Sequence, residues 1–154
     1  MNIYMKIAIE EAGKGIGLNE GGPFGAVIVK KDTIISQAHN RVLASHDPTA
    51  HAEILAIREA GRSLNTLNLS ECTLYTTCEP CPMCLAAVIW ARISSVYYGC
   101  TRQDAARIGF RDEHMYGTAG DAFSQLPFDM KQIDRDECIQ MFKEWEEKPD
   151  KVIY

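Results

Sequence analysis

Apolar and polar positions change period several times along the 154-residue chain, and each change marks an element. Over residues 2–14, Ile3, Ile7, Ala8 and Ala12 recur at helical spacing, and Gly13, Gly15 and Gly17 are expected to end that helix. Gly21-Gly22-Pro23 reads as a turn. Phe24 to Val29 is an apolar run of strand length, and Lys31-Asp32 turns it into a second strand over Thr33 to Ala38. Residues 50–61 predict a helix with Ala52, Leu55, Ala56 and Ala60 on its apolar side. Thr73 to Thr76 gives a short strand. Pro80 suits the first turn of a helix, where its missing N–H costs nothing, and that helix is expected to run to about Arg92. Ser94 to Tyr98 gives a further strand. No regular element is predicted over residues 101–130. Asp134 followed by Glu137 opens a last helix, with Cys138, Ile139, Phe142 and Trp145 facing inward. Strands alternating with helices predict an α/β fold, a three-layer sandwich.

Composition narrows the classes without changing that picture. The length predicts one domain over 1–154, able to bury a core without disulfide staples. Hydrophobic residues make up 46% of the chain, yet no run of about 18 apolar residues occurs, so no membrane span is expected. The segment Met1-Asn2-Ile3-Tyr4-Met5-Lys6 lacks the basic start and apolar run of a secretory signal, and a cytoplasmic address is expected. The net charge of −5 favours a small-molecule partner over nucleic acid, because proteins that grip phosphates usually carry a basic excess.

Candidate chemistry comes from the cysteines. Cys72, Cys100 and Cys138 read as small buried hydrophobes. Cys78, Cys81 and Cys84 instead crowd into Thr77-Cys78-Glu79-Pro80-Cys81-Pro82-Met83-Cys84. In a reducing compartment such crowding indicates metal binding or catalysis. Cys81 and Cys84, three apart at a helix start, direct both thiols the same way. His51, in His51-Ala52-Glu53 at another helix start, completes a one-histidine, two-cysteine donor set that suits zinc. Three protein ligands leave zinc one open position, the mark of a catalytic site. Glu53 is placed to take a proton from a zinc-activated water and return it elsewhere. The alternative is a closed structural site in which Cys78 supplies a fourth ligand. Against it, Cys78 precedes Pro80 and lies outside the helix that aligns the other two, and Glu53 would have no role.

The arrangement H-x-E…P-C-x-x-C matches the zinc deaminase pattern. Gly22-Pro23-Phe24-Gly25-Ala26-Val27, Asp47-Pro48-Thr49-Ala50-His51-Ala52-Glu53 and Cys78 to Cys84 resemble the cytidine deaminase-like superfamily. Within it they resemble the bacterial guanine deaminase branch, with tRNA adenosine deaminases as the nearest relatives. Phe24, Trp90 in Val88-Ile89-Trp90-Ala91-Arg92, Asp104-Ala105-Ala106 and Gly109-Phe110-Arg111-Asp112 carry the guanine deaminase likeness. The likeness extends over nearly the whole chain. It implies a central mixed sheet of about five strands and one zinc ion held by His51, Cys81 and Cys84. It also implies Glu53 as proton shuttle in the hydrolysis of guanine to xanthine and ammonia. By the same resemblance Phe24 packs on the purine face, Asn40 bonds the ring, Trp90 walls the pocket and Asp112 reads the polar edge. Tyr154 would close the pocket, in a homodimer whose C-terminal segments (about 134–154) can exchange between subunits. Other zinc deaminations (guanosine, a triazine, cytosine or tRNA adenosine) and a non-catalytic zinc module are the alternatives. His39 and His114 depart from the family pattern.

Overall fold

A computed structural model describes residues 1–154, the side chains of Asp112 and Glu113 excepted. The strands are β1 (Gly25–Lys30), β2 (Thr33–His39), β3 (Cys72–Cys78), β4 (Ser95–Cys100) and β5 (Asp129–Gln132). They form one mixed sheet in the order β2-β1-β3-β4-β5. β1 runs antiparallel to both β2 and β3, while β3, β4 and β5 are parallel. The helices are α1 (Ile3–Gly17), α2 (Val42–Ser45), α3 (Ala52–Leu64), α4 (Pro82–Ala91), α5 (Arg102–Arg107), α6 (Asp112–Ala119) and α7 (Arg135–Glu147).

β1 shows why three layers form. Its side chains alternate: Val27 and Val29 join one core with Met5, Ala8, Phe142 and Trp145, drawn from α1 and α7. Ala26 and Ile28 join a second core on the opposite face with Ala52, Ala56, Ala60 and Val88, drawn from α3 and α4. A strand buried on both faces reads as a continuous apolar run, which is how Phe24 to Val29 looks in the sequence.

Three expectations need correction. α1 does not end near residue 14 but runs through Gly13 and Gly15 to Gly17, because Ile16 extends the buried stripe of Met5, Ala8 and Ala12. Tertiary burial there outweighs the low helix propensity of glycine. α4 begins at Pro82, with Cys81 as its N-cap, two residues after the expected proline. Residues 101–130 are not irregular: they hold α5, α6, a 3₁₀ turn at Gly120–Phe123 and the edge strand β5. α5 starts with a reciprocal capping box between Thr101 and Asp104. No helix among the described residues is long and apolar enough to cross a membrane.

Candidate metal centre and pocket

β2, β3 and β4 all end at one edge of the sheet, and β1 begins there, opposite His39. Ligand sites of open α/β sheets collect at such an edge. α3 and α4 both start above it. His51 is the N-cap of α3 and Cys81 the N-cap of α4, each in extended conformation with its side chain making no capping bond. Both side chains are thereby released toward the space between the helix starts. Cys84, in the first turn of α4, points back to the same place.

His51 Nδ1 lies 3.7 Å from Cys81 Sγ and 3.6 Å from Cys84 Sγ. The three donor atoms fall within 4.8 Å of one another. Zinc bonds of usual length in a tetrahedron separate nitrogen from sulfur by roughly 3.6 Å and two sulfurs by roughly 3.8 Å. The donor set therefore fits zinc in type and spacing. Hydrogen bonding from the Cys84 thiol holds Cys81 low, at about 4, with His51 assisting against the cost of burial. The same shared bond and burial push Cys84 up. Two helix N-termini further favour negative charge at this point. Cys78 does not join the cluster: its Sγ approaches the Thr101 carbonyl at 3.7 Å, so the four-ligand closed site is not formed.

Glu53, in the first turn of α3, is 6% exposed. Burial raises its carboxyl above the usual range, opposed by the nearby His51. The Thr76 hydroxyl donates to Oε1 at 3.0 Å, and the Cys84 thiol faces Oε2 at 3.6 Å. Thr76 is fully buried on β3, and no motif marks it in the sequence, because it is one of three threonines in that strand.

A cavity of about 380 Å³ opens beside this group, lined by His51, Glu53, Cys81, Phe24, Asn40 and Tyr154 among others. Phe24 stands edge-on to Phe110, which in turn meets Tyr154 at 5.4 Å between ring centres. Asn40 is 1% exposed, and its Oδ1 accepts from Val42 N–H at 3.1 Å and from the Tyr154 hydroxyl at 2.7 Å. The same hydroxyl accepts from Gly22 N–H at 2.9 Å. Tyr154 thus docks on its own chain, at the mouth of its own pocket.

Trp90 does not line this cavity. It is 86% exposed and borders a separate hollow with Leu67 and Arg62. At 100° per residue it lies roughly 200° around α4 from the Cys84, Leu85, Val88 and Ala91 stripe that faces the core. The side chain of Asp112 lies outside the described residues, though its neighbour Arg111 reaches the cavity. Phe110, Arg111, Met115, Pro48, Thr49 and Glu79 also line it, and none of them was expected as a site residue. Pro48 and Thr49 directly precede His51 and Glu79 lies inside the cysteine motif, so proximity was their signal. Phe110, Arg111 and Met115 belong to the stretch with no predicted element. His114 is exposed and does not line the cavity.

Residues 2–100 match the family model described as the cytidine and deoxycytidylate deaminase zinc-binding region. Guanine deaminase of Bacillus subtilis is 42% identical over 151 residues, covering 98% of this chain and 97% of the relative. Its solved structure superposes with a TM-score of 0.75 over 100% of this chain and 99% of the other. A guanine deaminase structure from Nitrosomonas europaea, 30% identical, gives 0.81 over 93% of this chain and 82% of its own. The tRNA-specific adenosine deaminase of Aquifex aeolicus is 50% identical, but over 95 residues, 62% of each chain.

Proposed function

Since the chain belongs to the cytidine and deoxycytidylate deaminase zinc-binding family, we propose that it hydrolyses the free base guanine to xanthine and ammonia. The observation that carries this choice of substrate is the docking of Tyr154. The last residue of the chain sits on Gly22 and Asn40 at the pocket mouth, where a base still attached to an RNA backbone would have to enter. The likeness to guanine deaminase also spans 98% of the chain, against 62% for the tRNA deaminase.

His51, Cys81 and Cys84 hold the zinc, which when bound lowers the pKa of a water to about 7 and so supplies a nucleophile at neutral pH. The residues of the chain perform the rest. Glu53 carries the protons: Thr76 fixes Oε1, so Oε2, on the side of the ligand sulfur, is the oxygen that exchanges them. A proton from the attacking water passes through it to the ring nitrogen beside the amino-bearing carbon. A second transfer goes to the departing amine, so that guanine and water become xanthine and ammonia. A carboxylate held beside the attacking water can take a proton and return it, which suits both directions of transfer. Phe24 and Phe110 supply apolar faces for the purine. Asn40 has its oxygen occupied by Val42 and Tyr154, which leaves Nδ2 to donate to an acceptor on the ring. Asp112, at the start of α6, is read as the partner of the polar edge.

The protein is read further as a cytoplasmic homodimer. All six of its cysteines are buried and three crowd into one short motif, a usage that suits a reducing compartment. Trp90 and Leu67, 86% and 92% exposed, give an apolar patch for a second subunit to cover. In that dimer the segment 134–154, which here docks on its own chain, can instead exchange between subunits, and sedimentation of the intact and tail-truncated proteins tests it. For the activity, ammonia release from guanine, guanosine, adenosine, cytosine and a tRNA anticodon hairpin is compared on the zinc-loaded protein. Guanine is expected to react fastest. Conversion of adenosine to inosine in the hairpin overturns the assignment.

A further inference from the structure

The pocket wall that carries Asn40 rests on a charge cluster outside the reaction site. His39, the last residue of β2, is wedged between two carboxylates: Nδ1 faces Glu11 Oε2 at 3.1 Å and Nε2 faces Glu20 Oε2 at 2.5 Å. One rigid ring therefore spans two carboxylates, with a ring nitrogen within hydrogen-bond reach of each. The seat is shaped for that ring. Gly15 of α1 lies against it, and a Cβ there would stand 2.8 Å from His39 Cδ2. Glycine inside a helix weakens it, and here the missing side chain is what admits the imidazole.

Every neighbouring element contributes polar groups. From α1, Lys14 pairs with Glu11 at 2.5 Å. From β2, Gln37 Nε2 donates to Glu11 Oε1 at 3.0 Å. Arg41 Nη2 donates to Glu20 Oε1 at 3.3 Å. The His39 bond is the main influence holding the Glu20 carboxyl below its usual range. Burial would raise Glu11, but Lys14 and His39 together hold it low.

Glu20 leads directly into the pocket wall. Its carbonyl accepts from Leu43 N–H at 3.1 Å and Ala44 N–H at 3.0 Å. Gly21 lies so close to Asn40 that any Cβ would collide with the amide oxygen and the carbonyl. Gly22 N–H holds the Tyr154 hydroxyl, which holds Asn40 Oδ1. An unbroken line of contacts therefore runs from the imidazole through residues 20–22 to both groups.

We propose that His39 is a positioning residue for substrate binding, which bridges Glu11 and Glu20 and so fixes residues 20–22 against Asn40 and Tyr154. It does not touch the substrate, and its kinetic role rests on the guanine reading of the pocket. The bridge orients the Asn40 amide, so its loss weakens substrate capture. The metal ligands and Glu53 sit on α3 and α4, to which no bridge residue belongs.

Guanine kinetics of zinc-loaded His39→Gln, Tyr154→Phe and the double variant test the line of contacts. Glutamine keeps a polar side chain but lacks the rigid ring that reaches both carboxylates. Each single variant should raise KM about tenfold, the worth of one net hydrogen bond, with kcat changed by no more than about twofold. The double variant should be no worse than the worse single one, because both break the same line. KM effects that multiply, or a fall in kcat at unchanged KM, overturn the proposal. Hydrogen exchange of the full protein provides a readout that needs no substrate. The Gly22 and Val42 amides should exchange about tenfold faster in His39→Gln, and Glu20→Gln should reproduce this. Unchanged exchange in both variants overturns the bridge. Faster exchange in a protein whose wild type does not deaminate guanine overturns the substrate assignment alone.

Discussion

Replacing Asp104 by asparagine should cost stability near neutral pH and cost almost nothing in strong acid. Asp104 is 3% exposed at the start of α5, where burial by itself would raise its carboxyl. Two residues together outweigh that: Arg135 of α7 donates Nε at 2.9 Å and Nη2 at 2.6 Å, and Thr101 adds its N–H and hydroxyl, each at 2.9 Å. The net result holds the group at about 2, against an ordinary value of 3.8. At 1.36 kcal/mol per pKa unit, that difference corresponds to roughly 2 kcal/mol of folding free energy. A carboxyl depressed in the folded state contributes fully above its unfolded pKa and loses that contribution as pH falls through its folded pKa. The deficit of Asp104→Asn should therefore be roughly 2 kcal/mol at pH 7 and shrink between about pH 4 and pH 2. In a domain of this size the neutral-pH deficit lowers Tm by about 4–8 °C. Urea melts of both proteins across this range, compared pairwise, cancel the other carboxylates. A deficit that stays constant with pH would refute the assignment of this stability to the Asp104–Arg135 pair.

Three further outcomes follow from the site. Glu53→Gln should keep zinc and fold but lose at least about two orders of magnitude in kcat, checked by guanine turnover beside metal analysis; normal turnover would place the proton shuttle elsewhere. Cys81→Ala and Cys84→Ala should abolish stoichiometric zinc, whereas Cys78→Ala should retain it, because the Cys78 thiol faces the Thr101 carbonyl; a metal-free Cys78→Ala protein would revive the closed site. Deleting residues 152–154 should spare zinc binding while raising KM, since Tyr154 meets Gly22 and Asn40; a lowered Tm with unchanged kinetics would show that the tail only adds stability.

The parts of the site that could be read from the sequence are those whose chemistry is local. His51 and Glu53 are two residues apart at one helix start, and Cys81 and Cys84 three apart at another, so short spacings already carry the geometry. β1 was legible for a similar reason, because burial on both faces leaves an unbroken apolar run. Residues 101–130 were not. α5 has only six residues and is held by Thr101, Asp104 and the distant Arg135, none of which produces a helical period. β5 is a four-residue edge strand with little burial, so no alternation marks it. Trp90 was misplaced although the relevant spacing was visible. The family resemblance alone put it in the pocket wall, whereas the period of α4 turns it toward solvent.

That division between local and distant chemistry has a consequence for kinetics. In the proposed reaction, metal ligation and proton transfer rest on the first turns of two helices and on one hydroxyl from β3. Purine recognition, as proposed, draws on cavity-lining residues as far apart as Phe24, Asn40, Phe110 and Tyr154, which only the completed fold brings together. Local loosening near residues 20–22 or 152–154 therefore leaves the first set intact while spoiling the second. Substitutions in those segments should appear in KM, and substitutions at Glu53 or Thr76 in kcat. Thr76→Val separates the two sets most directly. It removes the bond to Glu53 Oε1 at a fully buried position that does not line the cavity. Loss of one orienting bond to the proton carrier should lower kcat about tenfold and leave KM within about twofold. A Thr76→Val enzyme with raised KM and normal kcat would mean that the position of Glu53 governs binding, and the separation would fail.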